Sequence, residues 1–390
     1  MGIIDTEALL NEEEKLLVRS IREFVKKEIE PIVDEYEAKK KFPIHLMPKM
    51  GELGIFGAMF PEEYGGTNYG VTAEMLIIEE IARAAGGIAA TVLVQVLSLL
   101  PIFKYGSEKQ KREYLIPGIK GEKVGAVAVT EPNCGSDVAG IETRAIFKGD
   151  KLVINGSKMF ITNAPFANFF TVAVRTGPPE PKRHLGISYV IVDKDTPGLN
   201  IERTLDKLGW HTSETAELSF SDVEIPKENI IGKEGHGFYY IMDVFNHEHL
   251  FVGAQSVGMA RACLEQAVEY SLTRKAWGKP IAEFQAVSHK IADMWTQLLA
   301  ARTLLYYAGR LTDAGVDAVK EMAAAKYFAG EMVNKVCYDA IEIFGGLGYM
   351  MECPVQRYYR DARVQTIGGG TSEIQKNIIS RRLLKRKGEG

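Results

Sequence analysis

The N-terminal third of the chain repeats hydrophobic residues at the spacing of an α-helix. The first such series comprises Leu16, Leu17, Ile21, Phe24, Val25 and Ile29. Asn11 with Glu14, and Ser107 with Gln110, are typical of the capping box that begins a helix, because each side chain can satisfy the other residue's backbone N–H. The pattern therefore predicts a helical region at the N-terminus.

Short β-branched segments replace this pattern near Lys123. They read VGAVAVTE, TRAIFKGDKLVINGSKMFIT, FFTVAVRT, GISYVIVDK and AELSFSDVEIP. The Gly149-Asp150 pair between two of these runs predicts a β-hairpin. Because no helical stretch separates the strands, we expect an antiparallel sheet or a barrel rather than βαβ units.

Helical spacing returns after about Gly237 and continues to the end of the chain. Its clearest series is Phe284, Val287, Ile291, Met294 and Leu298, which step by three and four and predict the buried seam of a helix bundle. The sequence thus predicts an α+β protein with three domains. These are a helical domain over residues 1–123, a β domain over 124–236 and a helical bundle over 237–390.

Charge and composition exclude several classes of function. Lys and Arg total 47 against 51 Asp and Glu, a formal net charge of −4, whereas nucleic-acid binding requires a concentrated basic surface. We therefore expect no nucleic-acid partner. No G-x-G-x-x-G motif leads from a strand into a helix, no P-loop is present, and the G-x-S-x-G elbow of acyl-transfer enzymes is missing.

Cysteine usage and the N-terminus indicate a reducing compartment. The four cysteines are far apart and form no C-x-x-C pair, so neither a zinc ribbon nor a disulfide framework is expected. The acidic N-terminus resembles neither a signal peptide nor a transit peptide. The apolar stretch from Ala89 to Phe103 looks too short and too polar to cross a membrane. We expect a cytoplasmic protein that is not inserted in a membrane.

Three segments suggest chemistry, although each also has an ordinary structural explanation. The loop Val129–Asp137 can bind a polar ring edge or a phosphate, or can be a simple turn. The segment Arg274–Ile281 offers a guanidinium to a pyrophosphate, or is a helix end stopped by Gly and Pro. The glycine-rich stretches 344–349 and 368–374 suit a ligand close to the backbone, or are loops between helices.

A metal site is not expected at His247-Glu248-His249. Residues two apart on a helix do not share a face, so the two imidazoles cannot easily bind one ion, and no third ligand stands at a usable spacing.

Taken in order, these motifs resemble the acyl-CoA dehydrogenase family. The matching segments are VTEPNCGSD, MFITN, AELSFSDVEIP, RKAWGKPI with the following FQ, IFGGLGY, RDAR and GGGTSEI. The resemblance extends from the first amphipathic helix to about Leu384. It implies a helical domain, a β-barrel-like domain and a four-helix bundle, which agrees with the α-β-α order above. It also implies a homotetramer.

The resemblance further implies FAD-dependent oxidation of an acyl-CoA thioester to its α,β-unsaturated product. Electrons would then pass to electron-transferring flavoprotein. Such chemistry needs hydrogen-bond donors for the developing enolate, a carboxylate as general base at the α-carbon, and a flavin that accepts hydride from the β-carbon.

By the same resemblance, two groups of residues hold the cofactor. Near the flavin ring these are Thr130 and Thr162, with Phe160 where the family often has Trp, and Ser136 close to flavin or CoA phosphates. Around the adenine-diphosphate part they are Arg274 and Trp277, reaching a neighbouring subunit, with Gln285, Glu342 and Gly346. Glu342 stands where the family usually has Gln, and a carboxylate is unfavourable beside a diphosphate. Thr371 and Glu373 would close over the cofactor.

The catalytic base is the main departure from the common family pattern. Gly369 occupies the position of the usual catalytic Glu and cannot accept a proton. The isovaleryl-CoA and long-chain branches also lack that Glu and carry the base on the first helix of the C-terminal bundle, a position that matches Glu248 here. Glu248 is therefore the candidate base, with a solvated helix carboxylate as the alternative. His249 follows Glu248 at a position where the family usually has Arg. The candidates for substrate binding are Ser136, Thr91, Gln95, His249 and Gly369.

Two alternatives to a dehydrogenase stay open at the level of sequence. One is a relative that passes electrons to oxygen, as acyl-CoA oxidases and flavin monooxygenases do. The other is a protein that binds flavin or acyl-CoA without catalysis. The segment around Val94-Gln95 resembles the glutaryl-CoA branch but lacks the Arg that holds a distal carboxylate. A branched, cyclic or dicarboxylic-derived acyl group is expected.

Overall fold

A computed structural model describes residues 10–384 of the chain. Helices give way to strands at Gly125, and strands give way to a long helix at Gly237. These transitions lie beside the boundaries expected from the sequence at 123/124 and 236/237. The α-β-α order and the mixed α+β class predicted from the sequence are confirmed.

The N-terminal region consists of helices that pack around one apolar core. They are α1 (Glu12–Phe24), α2 (Val33–Lys39), α3 (Leu46–Glu52), α4 (Gly70–Ala84), α5 (Gly86–Tyr105), α6 (Glu108–Gln110) and α7 (Ile116–Ile119). Both predicted capping boxes form, at Asn11 with Glu14 and at Ser107 with Gln110. The predicted inward face of α1 was wrong at Leu16, which is 64% exposed, while Val18 is buried.

The middle region is a twisted seven-stranded sheet. Its strands are β1 (Gly125–Ala128), β2 (Arg144–Lys148), β3 (Lys151–Thr162), β4 (Phe169–Arg175), β5 (Ile187–Asp193), β6 (Leu199–Thr204) and β7 (Thr215–Pro226). Their order is β1-β4-β2-β3-β7-β6, with β5 also paired to β4. The β2–β3 hairpin turns at Gly149-Asp150 as predicted, with Lys148 opposite Lys151 and Gly149 at φ +67°.

The expectation of an antiparallel sheet is wrong for two contacts of β4. It runs parallel to β1, with Gly125 opposite Phe169, and meets β2 in parallel at Arg144 and Arg175. The other pairs are antiparallel. Strand β4 returns to β1 only after the long β2–β3 excursion, so the chain can re-enter the sheet in the same direction.

Strands β4 and β5 are buried on both faces, which explains their nearly continuous hydrophobic sequences. Phe169, Tyr189 and Ile191 pack into the core shared with the helices. Phe170 and Val190 point to the opposite side, into the core enclosed by the sheet. This alternation directs Tyr189 towards the C-terminal helices.

The C-terminal region is a bundle built on three long helices. They are α8 (Gly237–Thr273), α9 (Gln285–Asp313) and α10 (Val319–Phe344), followed by α11 (Pro354–Ala362) and α12 (Ser372–Leu384). A short β8–β9 hairpin, Lys275–Ala276 with Lys279–Pro280, joins α8 to α9. In the predicted α9 seam, Met294 and Leu298 are fully buried.

Helix α5 corrects one expectation from the sequence. It spans 20 residues and is long and apolar enough to cross a membrane by length and composition, contrary to the prediction that this stretch is too short and too polar. It is also 89% buried inside the protein over its most apolar window, as the central helix of a packed domain is.

Candidate active site

Glu248 lies about three turns into α8, between the buried residues His247 and His249. Glu248 is half-buried, so part of its side chain remains accessible. Burial raises the pKa of Glu248 to about 7, and the positive charge of Lys326 opposes part of this rise. A carboxyl with this pKa is well matched to accept a proton near neutral pH.

Gly369 lies directly against Glu248. A Cβ atom at Gly369 would stand 3.3 Å from the Glu248 Cδ, 3.4 Å from its Oε1 and 3.3 Å from the Val252 Cγ2. Gly369 also has a φ of +62°, which L-residues with side chains rarely adopt. The carboxyl of Glu248 therefore lies beside the space that a side chain at residue 369 would occupy.

His249 is buried and neutral at physiological pH. Burial lowers the pKa of its imidazole to about 3. The amide of Gln375, on α12, donates a hydrogen bond of 3.0 Å to the His249 Nε2, whereas the Nδ1 has no partner within the described structure. His249 therefore supplies no positive charge here, unlike the Arg that the family usually carries at this position.

The ends of β1 and β3 bring together the residues expected at the flavin ring. The Met159 N–H donates a 2.8 Å hydrogen bond to the Thr130 carbonyl, which ties the β1 loop to β3. Thr130 and Thr162 are half-buried. Phe160 is 65% exposed and has a φ of +63°, so its ring stands out from the sheet edge.

A buried ion pair fixes this loop. The Lys158 ammonium donates to the Val129 carbonyl at 3.0 Å and to the Glu131 Oε1 at 2.8 Å, and both side chains are almost fully buried. Burial lowers the pKa of Lys158 to about 8, and Glu131 opposes the shift. Because Thr130 lies between these two contacts, Lys158 holds it in place. Ser136 is exposed on the same loop.

The residues expected at the adenine-diphosphate part lie elsewhere on the surface. Arg274, Trp277 and Gln285 are exposed around the β8–β9 hairpin, and Trp277 is 90% exposed. Glu342 and Gly346 are exposed at the end of α10. At a rise of 1.5 Å per residue, the part of α8 from Glu248 to Arg274 is about 39 Å long. Arg274 is therefore too far to serve the site around the Glu248 of its own chain.

Thr371 and Glu373 border an open cleft of about 420 Å³ beside α10. Its lining includes Glu331, Arg363, Thr366 and Ile367. The Ser372 hydroxyl donates to the Glu331 Oε1 at 2.7 Å, which fixes the start of α12 against α10.

Gln95 and Thr91, the substrate-binding candidates on α5, are buried and bond to other parts of the protein. The Gln95 amide donates 2.9 Å hydrogen bonds to the Gly118 and Lys123 carbonyls and accepts one of 2.8 Å from the Gly125 N–H. It thus joins α5 to the start of β1, and its contact with substrate stays a prediction. Thr91 is fully buried 3.5 Å from the Ser213 hydroxyl, and its carbonyl accepts from Asn163, so it also serves the contact between domains.

Three residues at the site were not found by sequence reasoning: Gln375, Lys326 and Tyr189. The Lys326 ammonium donates to the Gly370 carbonyl, and Gln375 donates to the Gly369 carbonyl at 3.0 Å. Tyr189 is fully buried on β5, near enough for the charge of Glu248 to act on its phenol. None belongs to a motif used above, and each comes from a different element. Within residues 10–384, no group of three His, Cys, Asp or Glu side chains could hold a metal ion.

Three family models together match nearly the whole chain. They are the acyl-CoA dehydrogenase N-terminal domain over residues 11–122, the middle domain over 126–223 and the C-terminal domain over 235–384. The chain belongs to the acyl-CoA dehydrogenase family, and is a flavoprotein oxidoreductase of acyl-CoA metabolism.

Individual relatives extend over nearly the full length. An acyl-CoA dehydrogenase of Bacillus subtilis (strain 168) is 41% identical over 376 residues, covering 96% of this chain and 99% of that protein. The structure of butyryl-CoA dehydrogenase from Megasphaera elsdenii matches with a TM-score of 0.94 and 38% identity, covering 96% and 99% of the two chains. A chain from a structure of the electron-transferring flavoprotein of Acidaminococcus fermentans matches with a TM-score of 0.95 and 39% identity, covering 97% and 99%.

Proposed function

We propose that this enzyme removes the α-proton and β-hydride of an acyl-CoA thioester with Glu248 as general base. The juxtaposition of Glu248 and Gly369 carries this proposal. The carboxyl at 248 fills the space beside a position whose glycine cannot act as a base. Its pKa of about 7 gives a substantial carboxylate fraction at neutral pH and a conjugate acid that retains the proton.

The residues at the sheet edge fit FAD as the cofactor. Thr130 follows β1 and Thr162 ends β3, the Met159 N–H joins the two segments by its hydrogen bond to the Thr130 carbonyl, and Phe160 presents an exposed ring two residues before Thr162. Thr371 and Glu373 border the open cleft beside α10. FAD bound by these residues would supply the acceptor for the hydride of the substrate. The chain's own part is to orient the flavin through the hydroxyls of Thr130 and Thr162 and to hold the proton on Glu248.

We expect one FAD per chain. Purified protein should show the flavin absorption bands, and denaturation should release FAD at about one equivalent per subunit. Apoprotein reconstituted with FAD should regain the same stoichiometry, whereas FMN serves as the comparison because it lacks the adenine-diphosphate part. Protein that takes up no FAD after reconstitution would contradict the proposed function at its first step.

The reaction itself is tested with a panel of acyl-CoA thioesters mixed anaerobically with the FAD-loaded protein. Loss of flavin absorbance should identify the substrate. We propose a branched or cyclic acyl group rather than a glutaryl group, because α5 carries no Arg between Gly87 and Leu93 to hold a distal carboxylate. A panel that includes glutaryl-CoA, straight-chain and ring thioesters separates these classes.

Assembly into a homotetramer is the second part of the proposal. The C-terminal region exposes apolar side chains that a neighbouring copy can cover: Trp277, Trp295, Leu299, Tyr307, Phe328, Tyr338 and Tyr349. The distance from Glu248 to Arg274 also favours an Arg274 that serves the cofactor of another subunit. We infer electron-transferring flavoprotein as the electron acceptor and the cytoplasm as the compartment.

Replacing Arg274 with Ala should weaken FAD retention and tetramer assembly together. The guanidinium can pair with two diphosphate oxygens of a cofactor in the neighbouring subunit, which Ala cannot replace. Flavin content after dilution and gel filtration, together with the mass in solution, measures both effects. Lys275→Ala, on the same exposed hairpin, is the control. Unchanged flavin content and mass in Arg274→Ala would assign Arg274 to a simple helix end.

A further inference from the structure

The loop opposite Glu248 is held by its backbone carbonyls. Gly369 and Gly370 have φ values of +62° and +81° and carry no side chains that could anchor them. The Gly369 carbonyl accepts a 3.0 Å hydrogen bond from Gln375, and the Gly370 carbonyl accepts one of 3.3 Å from the same amide. The Gly370 carbonyl also accepts from the Lys326 ammonium. Two side chains, from α12 and α10, therefore fix the loop.

Lys326 is unusual for a lysine because it is only 1% exposed. Burial lowers the pKa of its ammonium to about 8, and the charge of Glu248 is the foremost influence that opposes this shift. In return, Lys326 is the cation that opposes the effect of burial on Glu248. The same side chain therefore contacts the loop and acts electrostatically on the candidate base.

The other titratable groups around the pair cannot replace this cation. His249, beside Glu248 on α8, has a pKa lowered to about 3 by burial and is neutral. Tyr189, from β5, has its pKa raised by burial and donates no charge. Glu331 on α10 and Glu373 on α12 are carboxylates that favour the charged form of Lys326.

We propose that Lys326 is a positioning residue for proton abstraction: it holds the Gly369–Gly370 loop against Glu248 and favours the ionised form of the Glu248 carboxyl. The inference rests on the proposed function, because it assumes that Glu248 is the base. It assigns two separable tasks to one ammonium. The hydrogen bond to Gly370 fixes the geometry of the loop, and the positive charge sets the protonation of Glu248.

Two substitutions separate these tasks. Lys326→Gln removes the charge and keeps an N–H donor for the Gly370 carbonyl, while Lys326→Met removes both. Lys320→Met is the control, since Lys320 is a half-exposed lysine of the same helix that pairs only with its neighbour Glu321 within the described structure. Circular dichroism and FAD content establish which variants are folded.

The first measurement needs no substrate. The infrared band of the protonated Glu248 carboxyl, identified by its absence in Glu248→Gln, is followed against pH. In Lys326→Gln and Lys326→Met, we expect the midpoint to rise by about one pH unit, because the opposing cation is gone. Wild-type protein should deviate from a single-site titration near pH 8, where Lys326 loses its proton. Lys320→Met should titrate as wild type does.

The second measurement is the pH profile of flavin reduction under anaerobic conditions. Lys326→Gln should be about fivefold slower than wild type at pH 7, as follows from a one-unit rise in the pKa of the base, and Lys326→Met should be slower still. At high pH, Lys326→Gln should recover the wild-type rate, whereas Lys326→Met should stay slower because its loop is no longer held.

The outcomes distinguish the inference from the proposed function. An unchanged Glu248 midpoint in Lys326→Gln, together with a single-site titration of wild-type protein, would overturn the inference. The wild-type titration decides the matter even where a variant does not fold. A wild-type flavin that no acyl-CoA reduces would instead contradict the proposed function, since the infrared titration is independent of substrate.

Discussion

Replacing Glu248 with Gln should slow flavin reduction by acyl-CoA by about 10²–10⁴-fold, which is the usual contribution of a general base. The amide has nearly the same size as the carboxyl but cannot accept the α-proton, so binding of FAD and acyl-CoA should persist. Anaerobic stopped-flow absorbance at pH 8 measures the rate, with the best substrate from the panel. At that pH most of the wild-type carboxyl, with its pKa of about 7, is ionised.

Glu265→Gln is the matched control for this substitution. Glu265 lies on the same helix, and its carboxylate pairs with Arg83 at 2.6 Å in a half-exposed position. Its loss should leave flavin reduction near the wild-type rate. Near-normal reduction in Glu248→Gln would contradict the assignment of the base and direct attention to acids on the N-terminal helices.

Moving the carboxylate to residue 369 extends the same test. Gly369→Glu alone should fit poorly, because its Cβ would crowd the Glu248 carboxyl at 3.3–3.4 Å and the left-handed φ strains any side chain. In the double variant Glu248→Gly with Gly369→Glu, the space beside residue 369 is released. We expect this double variant to recover part of the activity that Glu248→Gly loses.

The largest expected effect on stability comes from Arg261. Its guanidinium is buried on α8 and donates to the Glu79 Oε1 at 2.6 Å and the Glu80 Oε1 at 2.8 Å, both on α4. Arg261→Met should destabilise the protein by about 3–5 kcal/mol, because it leaves two buried carboxylates short of a partner. Urea titration of the FAD-loaded protein, followed by circular dichroism, measures the apparent free energy of unfolding.

The pH dependence of the free energy of unfolding is a second test of the ion pairs around Arg261. Burial alone would raise the pKa of Glu80, but Arg261 and Arg22 hold it below its usual value. A lowered carboxyl pKa stabilises the fold above about pH 4.5, and this contribution is lost as the pH falls. As the pH is lowered, the free energy of unfolding of Arg261→Met should therefore fall less than that of the wild-type protein.

An exposed ion pair provides the comparison for Arg261. Arg203, which is 69% exposed, contacts Glu217 at 2.7 Å between β6 and β7. Arg203→Met should change the free energy of unfolding by less than about 1 kcal/mol. Equal effects of the two substitutions would show that the Arg261 network contributes no more than a surface pair.

Local features of the fold could be predicted from the sequence because they depend on residues that are neighbours along the chain. The capping boxes at Asn11 and Ser107 need only a partner three residues away, and the Gly149-Asp150 turn needs only the permitted backbone of glycine. The exposed face of α1 at Leu16 could not be predicted, since it depends on which helix packs against it.

Gln95, a polar residue in the apolar helix α5, shows the same limit of prediction from sequence. Gln95 was a substrate-binding candidate because the segment around Val94-Gln95 resembles the glutaryl-CoA branch. Its partners are the Gly118 and Lys123 carbonyls and the Gly125 N–H, which approach it only when β1 docks on α5. A buried polar side chain needs a hydrogen-bond partner, but the sequence does not show which group supplies it.

By itself, the sequence determined the α-β-α order, the family resemblance and Glu248 as the candidate base, because periodicity, turn residues and motifs are written in linear order. Only the tertiary structure decided the parallel β1–β4 pairing, the contact of Glu248 with Gly369, and the convergence of Lys326 and Gln375 on the glycine loop. These features depend on desolvation and on distances between α8, α10, α12 and the loop, which no local pattern encodes. The pKa of about 7 for Glu248 follows from that packing, since burial by distant elements raises it.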